Sequence, residues 1–467
     1  MTWRECTGAD VAMANNSNIG KSNEMNPRIW SHTARRENGE ISIGGISVTT
    51  LAQKYGTPSF ILDQEDFAMR ARQWRSSLHE HFGTHAGTAY YAAKSFISQD
   101  VARWIAELGL GLDVCTGGEL AVARAAEFPA DRIEMHGNNK SEMEIEEAID
   151  YRVGTIALDS LQEIDRVARI AHKKGVVQKV FIRLTPGVHA HTHEAISTAH
   201  EDVKFGFSIA SGAAWDAVLA TVRHESLQLR GFHAHIGSQI FGTDAYESAA
   251  ERLIEFLARF KSEFGYELPE LNLGGGYGIA YVDSDDPISS DHAMKKLSSV
   301  VTKSCQKYGI EIPEISIEPG RAIVGPSMTT LYEVGTTKEV TLEDGSHRWY
   351  ISVDGGMSDN IRTGLYDAEY SIVMANRESN APIRRCRIVG KHCETGDIII
   401  KDVQLPADIA PGDLLAVPAT GAYGRSMASN YNHMTRPPVI SVLNQRARTM
   451  IRRETYADLL ALEVDDE

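Results

Sequence analysis

Eight short apolar segments through the middle of the chain each end in a residue type that does chemistry, or in glycines that let backbone approach a ligand. In order they are YYAAK ending at Lys94, LDV after Asp113, IEMH at His136, TIALD at Asp159, VFIRL after Arg183, GFHAHIGS ending at Ser238, LNLGGG at Gly276 and ISIEPGR at Arg321. Most are followed by a stretch with apolar residues at three- and four-residue spacing, such as GGELAVARAAEF from Gly117 and AYESAAERLIEFLARF from Ala245. Strand, functional end and helix in eightfold repetition is how a (β/α)8 barrel reads in sequence, because the active site of that fold lies at the carboxyl ends of its strands. The pattern predicts an enzyme of the α/β class before any motif is interpreted.

At 467 residues the chain is too long for a barrel alone. After Arg321 the helical spacing gives way to β-rich runs such as TLYEVGTTKEV, RWYISVDGG, CRIVGKHC and DIIIKDVQL, separated by Gly, Pro and Asp turns. The expected organisation is an aperiodic tail at 1–27, strands at 28–59, the barrel at 60–325, and a β-sandwich or β-barrel domain at 326–467. The alternating text of 28–59 would lack pairing partners by itself, so it is expected to join the C-terminal β domain, with the barrel inserted between two pieces of sheet.

The net charge of −16 disfavours nucleic acid or an anionic membrane as partner, since both would be repelled at long range. No apolar run reaches the length of a membrane span and the first thirty residues lack the apolar core of a secretory signal, so a cytoplasmic protein is expected. Five cysteines, Cys6, Cys115, Cys305, Cys386 and Cys393, form no C-x-x-C pair and indicate neither zinc nor a disulfide framework. The HAHTH string puts His189, His191 and His193 on one side of an extended segment, but alternating polar residues also describe a solvated strand, and no metal is expected. Cys115 reads as a packing residue, with Asp113 the neighbour more apt to help organise a cofactor.

Lys94 ends the first barrel strand after two tyrosines and two alanines. Desolvation there would lower its pKa and free a nucleophilic amine for a Schiff base. GGGYG at Gly274–Gly278 follows strand seven, and Gly320 with Arg321 follows strand eight, the two loops where barrels commonly hold a phosphate. Glycines expose backbone N–H groups to phosphate oxygens, and a guanidinium adds charge. A lysine across the mouth from a phosphate cradle suggests pyridoxal 5'-phosphate, the cofactor that needs both.

The segments YYAAKS, GLDVCTGGEL, MHGNNKS, HAHIGSQI, LNLGGGYG, EPGRAIVGP, DGGMSDNIRTGLY, CETGD and GAYGRSMASNYN resemble the diaminopimelate decarboxylases, fold-type III pyridoxal phosphate enzymes related to alanine racemase and eukaryotic ornithine decarboxylase. HEAISTAHEDVKFG resembles the actinobacterial branch. The resemblance implies an alanine racemase-like fold and decarboxylation of meso-2,6-diaminopimelate to L-lysine and carbon dioxide, the last step of lysine biosynthesis. It makes Lys94 the Schiff-base lysine, stacks His235 on the cofactor ring, and sets Gly237, Ser238, Gly274, Gly275 and Gly276 around the phosphate. Glu318 becomes the partner of the pyridine nitrogen, where racemase relatives use arginine. A carboxylate keeps that nitrogen protonated, so Glu318 favours decarboxylation.

Arg321, Arg362, Tyr366, Glu394 and Tyr423 match the family's substrate-binding positions, Tyr423 also touching the phosphate. Arginines suit the far carboxylate of a substrate with an amino-acid group at each end, and Glu394 its far ammonium. Cys393 matches the cysteine that donates a proton at the site of a neighbouring subunit, which implies a homodimer with shared sites. Phe96 stands where many members have Asn, and GLYDAEY, with Asp367 and Glu369, replaces a more usual ending after the tyrosine. Two rival readings remain: a decarboxylase for another basic amino acid such as ornithine, and a non-catalytic cofactor-binding relative. Arg321 and Arg362 with Glu394 oppose the first, and the presence of Lys94 and Cys393 opposes the second.

Overall fold

Polar side chains placed just past the strand ends start the helices of this protein. Ser98, Thr116, Ser141 and Ser160 each accept a hydrogen bond from the backbone N–H three residues ahead, opening helices Gln99–Glu107, Gly117–Ala125, Glu142–Tyr151 and Leu161–Lys174. Each cap satisfies a backbone donor that a helix start leaves unpaired, so the chain turns from strand into helix within a few residues. The structure, a computed structural model, describes residues 25–187 and 204–464. Most of the N-terminal tail, His189, His191 and His193, and most of the HEAISTAHEDVKFG segment lie outside the described residues.

Eight parallel strands close the barrel: Ala86–Ala92, Gly111–Val114, Ile133–Met135, Thr155–Leu158, Gln178–Thr185, Leu227–His233, Glu270–Asn272 and Glu314–Ile317. The last strand pairs back onto the first, Ile315 opposite Ala86 and Ile317 opposite Ala89, so no edge is left open. A two-residue strand, Phe207–Ser208, adds to the outer end of Leu184–Thr185. Helix Leu161–Lys174 shows how the outer ring seals the core: Ile164, Val167, Ala168, Ile170 and Ala171 are buried on one face while Lys173 and Lys174 end it. Those basic residues also suit the negative end of the helix dipole.

The second sheet runs in the order Ile398–Pro406, Ile383–Val389, His347–Val353, Met328–Thr341, Ser59–Asp63, Val439–Leu443, Arg446–Ile451. Leu414–Val417 pairs with Met328–Thr341 and with Val373–Met374. The strand that enters this sheet from before the barrel is Ser59–Asp63, seated between Met328–Thr341 and Val439–Leu443. The alternating residues ahead of it pair otherwise than expected: Arg35–Glu37, Glu40–Ile43 and Ile46–Ser47 form a separate three-stranded sheet. Tight turns at Asn38–Gly39 and Gly44–Gly45 close each strand onto its neighbour, and the small sheet is tied to the β domain by Ile41 N–H donating to Ala375 O at 2.8 Å and Gln445 N–H donating to Gly44 O at 2.9 Å. The β domain meets the barrel at the mouth, where Tyr423 N–H donates to Ser95 O at 2.9 Å, beside Lys94.

Candidate active site

A cavity of about 440 Å3 opens at the carboxyl ends of the barrel strands, its lining including Lys94, His136, Arg183, His233, His235 and Glu318. Lys94 stands in a single 3-10 turn, Ala93–Ser95, directly after the first strand. Its side chain keeps 36% of its surface open, and its Nζ lies 3.8 Å from Asp113 Oδ2. Burial pulls the lysine pKa down, but the charge of Asp113, followed by Cys115, Tyr423 and Glu318, outweighs it, and the net direction is upward. The expected desolvated, lowered lysine is thus corrected: without a cofactor the amine is held as an ammonium, because the cavity wall carries a carboxylate within ion-pair reach.

The floor is a network sequence reading did not assemble. Glu318 Oε1 lies 3.1 Å from His136 Nε2 and 3.0 Å from His233 Nε2, and accepts from Asn272 Nδ2 at 2.9 Å. The same Asn272 nitrogen donates to Glu134 Oε2 at 2.7 Å, and Asn272 Oδ1 accepts from Gly274 N at 2.8 Å. His136, His233, Asn272, Glu134 and Glu318 come from four different strands or their ends and all are buried. Burial pushes the Glu318 pKa up, but His233 and His136 hold it well below the ordinary carboxylate range. Burial also pulls His136 down, yet Glu318 and Asp113 raise it to about 10, while burial lowers His233 to about 4. One imidazolium therefore sits among carboxylates, with Glu318 ionised. His136, His233 and Glu318 also have the spacing of a metal trio.

His235 is neutral: burial and then Lys94 lower its pKa well below the usual value, and its Nδ1 accepts from Gly275 N at 3.3 Å. Its ring edge thereby joins the glycine loop. A side chain on Gly274 would meet Ala234 O at 2.2 Å, and one on Gly276, at φ +106°, would meet Gly237 O at 2.3 Å. Only bare backbone fits where these loops cross. Cys115 is not a nucleophile, since burial and then Asp113 push its thiol well up, and its Sγ faces Asp113 Oδ1 at 3.7 Å.

Two guanidinium groups stand on the β-domain side. Arg321, opening the short helix Arg321–Val324, donates through Nη2 to Ser238 Oγ at 2.9 Å and lies 4.7 Å from the Tyr423 ring. Arg362 begins helix Arg362–Tyr366 and donates to Tyr370 Oη, with Tyr366 half-buried at the helix end. Both arginines are buried. Tyr423 adopts φ +59°, a strained backbone that its N–H bond to Ser95 O holds in place. Gly320 packs beside Ala92 at the start of the Lys94 turn, where a Cβ would come within 2.8 Å of Ala92 Cβ.

Cys393 and Glu394 do not join this group. Both are exposed on the turn between strands Ile383–Val389 and Ile398–Pro406, and neither lines the cavity. Glu394 Oε1 takes Gly396 N–H and Thr395 Oγ1, each at 3.3 Å, within its own turn. The turn is anchored: Asp397 accepts from Met357 N at 2.6 Å and His392 N at 2.8 Å, and the His392 ring hydrogen-bonds Ser358 Oγ and Asn432 Oδ1. Among the departures, Phe96 is buried and its carbonyl accepts from Tyr91 Oη at 2.6 Å. Asp367 pairs with Lys401, and Glu369 is exposed.

An amine on the cavity wall, a buried ionised carboxylate and a side-chain-free cradle fit pyridoxal 5'-phosphate. The buried Asp113 Oδ2 and Arg321 Nε, which lack hydrogen-bond partners among the described residues, leave polar groups for such a ligand to satisfy. Residues 64–325 match the family model described as pyridoxal-dependent decarboxylase, pyridoxal binding domain. Diaminopimelate decarboxylase of Mycobacterium tuberculosis is 52% identical over 94% of this chain and 98% of its own length. The enzyme of that name from Bacillus subtilis is 43% identical over 93% and 98%. The crystal structure of diaminopimelate decarboxylase from M. jannaschii in co-complex with L-lysine superposes with a TM-score of 0.85 at 29% identity, covering 93% of this chain and 98% of that one. A barrel mouth built for this cofactor and relatives matched from end to end say the same thing: the chain belongs to the pyridoxal-dependent decarboxylases, among the diaminopimelate decarboxylases.

Proposed function

We propose that this enzyme decarboxylates meso-2,6-diaminopimelate to L-lysine and carbon dioxide with pyridoxal 5'-phosphate as cofactor. The observation that carries this is the setting of Glu318, an ionised carboxylate fixed by His136, His233 and Asn272 in the same cavity as Lys94. When bound, the cofactor supplies an aldehyde that takes an amine and a cationic ring that accepts the electron pair left by departing carbon dioxide. Glu318 would keep the ring nitrogen protonated, which suits electron-pair acceptance rather than simple proton exchange. Lys94 Nζ is the amine that would hold the aldehyde. His235 would take the ring, and Gly237, Ser238 and Gly274–Gly276 would offer N–H and hydroxyl donors to the phosphate, with Tyr423 as a further phosphate contact.

Arg321 and Arg362 bind the far carboxylate of the substrate, with Tyr366 beside them. This selects diaminopimelate over ornithine, which has no second carboxylate to satisfy two buried guanidinium groups. Cys393 Sγ holds the proton that replaces the lost carboxylate, and Glu394 meets the far ammonium. Both are exposed, unlike the buried Arg321 and Arg362, which supports their serving the site of a second copy in a homodimer. Among the described residues no helix is long and apolar enough to cross a membrane. An exposed catalytic thiol calls for a reducing compartment, which supports the cytoplasm as its location. The test is product analysis: cofactor-loaded enzyme given meso-diaminopimelate is expected to yield L-lysine and carbon dioxide, and carbon dioxide from ornithine alone would reject the assignment.

A further inference from the structure

Tyr281 lies where the two arginines meet, and none of the motif residues above explains it. It belongs to the loop after the seventh barrel strand, beyond the glycine cradle, and is 4% exposed. Its phenol oxygen accepts a hydrogen bond from Arg321 Nη1. The Arg362 guanidinium carbon stands 4.6 Å from the centre of the same ring, and the Tyr370 ring, which takes Arg362 through its own oxygen, meets Tyr281 edge-on at 5.1 Å and 79°. One phenol therefore contacts both guanidinium groups in different ways, through its oxygen and through its π-face.

The backbone of Tyr281 is held from both domains. Its N–H donates to Asp285 Oδ2 at 2.8 Å within the barrel loop, and its carbonyl accepts from Ser371 N at 3.0 Å and Ser371 Oγ at 2.9 Å in the β domain. The main chain that carries the ring cannot shift without breaking the seam between barrel and sheet. Two cations this close repel, and something must hold them. A carboxylate would do so by cancelling their charge, whereas a phenol and its ring face attract guanidinium groups while leaving both charges to a ligand.

We propose that Tyr281 is a specificity-determining positioning residue: by fixing Arg321 and Arg362 as a pair, it makes the site demand a ligand with a carboxylate at its far end. This rests on the assignment of diaminopimelate as substrate, and it concerns binding of the distal group rather than the bond that breaks.

The test compares wild type and Tyr281→Phe as cofactor-loaded enzymes, using L-lysine and cadaverine as probes, the second being the first without its carboxylate. Tyr281→Phe keeps the ring and removes only the oxygen that holds Arg321. The expected result is an L-lysine dissociation constant raised about tenfold with that for cadaverine within about twofold, since one hydrogen bond to a charged group is lost. KM for meso-diaminopimelate should rise by a similar factor with kcat and cofactor content nearly unchanged. Equal weakening of both probes, or loss of cofactor, would reduce Tyr281 to a packing role and overturn the proposal, as would an unchanged L-lysine constant. A wild type that turned over ornithine instead of diaminopimelate would sink the substrate assignment, while the contrast between L-lysine and cadaverine would still decide the role of Tyr281.

Discussion

The barrel mouth and the Cys393 turn are built in opposite ways. At the mouth the charged groups are crossed by others: buried Glu318 by His136, His233 and Asn272, and half-buried Lys94 by Asp113. On the turn, Cys393 and Glu394 are exposed, yet their base is pinned by Asp397 and His392. A flexible loop would need no such anchors. A rigid, exposed pair is what a surface looks like when it is made to be offered to something else, whereas the mouth is made to hold what enters it.

The comparison breaks most easily at Lys94. Lys94→Ala should lower kcat by about 10^3-fold or more and abolish the visible absorbance of covalently held cofactor, as spectroscopy and steady-state rates would show. A variant with wild-type turnover would remove the mouth from the chemistry. Cys393→Ala should be the next largest, slowing kcat by about 10^2- to 10^3-fold while cofactor content, measured by absorbance after gel filtration, stays at wild-type level. Loss of cofactor there would mean that the turn supports the mouth directly. Arg362→Lys should raise KM for diaminopimelate about tenfold with a smaller change in kcat, because an ammonium cannot grip a carboxylate in two places.

The last expected effect is on stability rather than on rate or binding. Folded His136 is raised to about 10, because Glu318 and Asp113 outweigh the burial that pulls it down. An unfolded histidine titrates near its ordinary value of about 6.5. A raised folded pKa gives stability that is complete below the unfolded value and is lost as pH rises through the folded one. Cofactor-free wild type should therefore lose thermal stability relative to His136→Gln as pH climbs from about 6.5 toward about 10. A gap between the two that widens with pH would show that His136 is not the imidazolium of the floor.

Part of this was legible in the chain because barrels put their chemistry at strand ends, so Lys94, Asp113 and Arg321 could be read one segment at a time, while Glu318 came from the family resemblance. The floor could not be read that way. His136 was visible as a strand end, but its meaning depends on Glu318, Asn272 and His233, which reach it only when the last strand pairs with the first. Tyr281 was hidden for a related reason: in GGGYGIAYV an aromatic reads as core, and its value comes from Arg362 across the domain seam. The direction of the Lys94 shift was misjudged because desolvation is a property of the site, while the competing charge of Asp113 lies on the neighbouring strand. Alternation in 35–47 correctly signalled strands but carried no information on which sheet would take them.

The claim that mouth and turn belong to different subunits is tested most directly by mixing Lys94→Ala with Cys393→Ala, each nearly inactive alone, after dissociation and reassociation. Shared sites in a two-fold dimer would leave one intact site in each mixed dimer and restore about a quarter of wild-type activity. No recovery, with mixed dimers demonstrably formed, would place Cys393 on its own chain's chemistry or outside the reaction altogether.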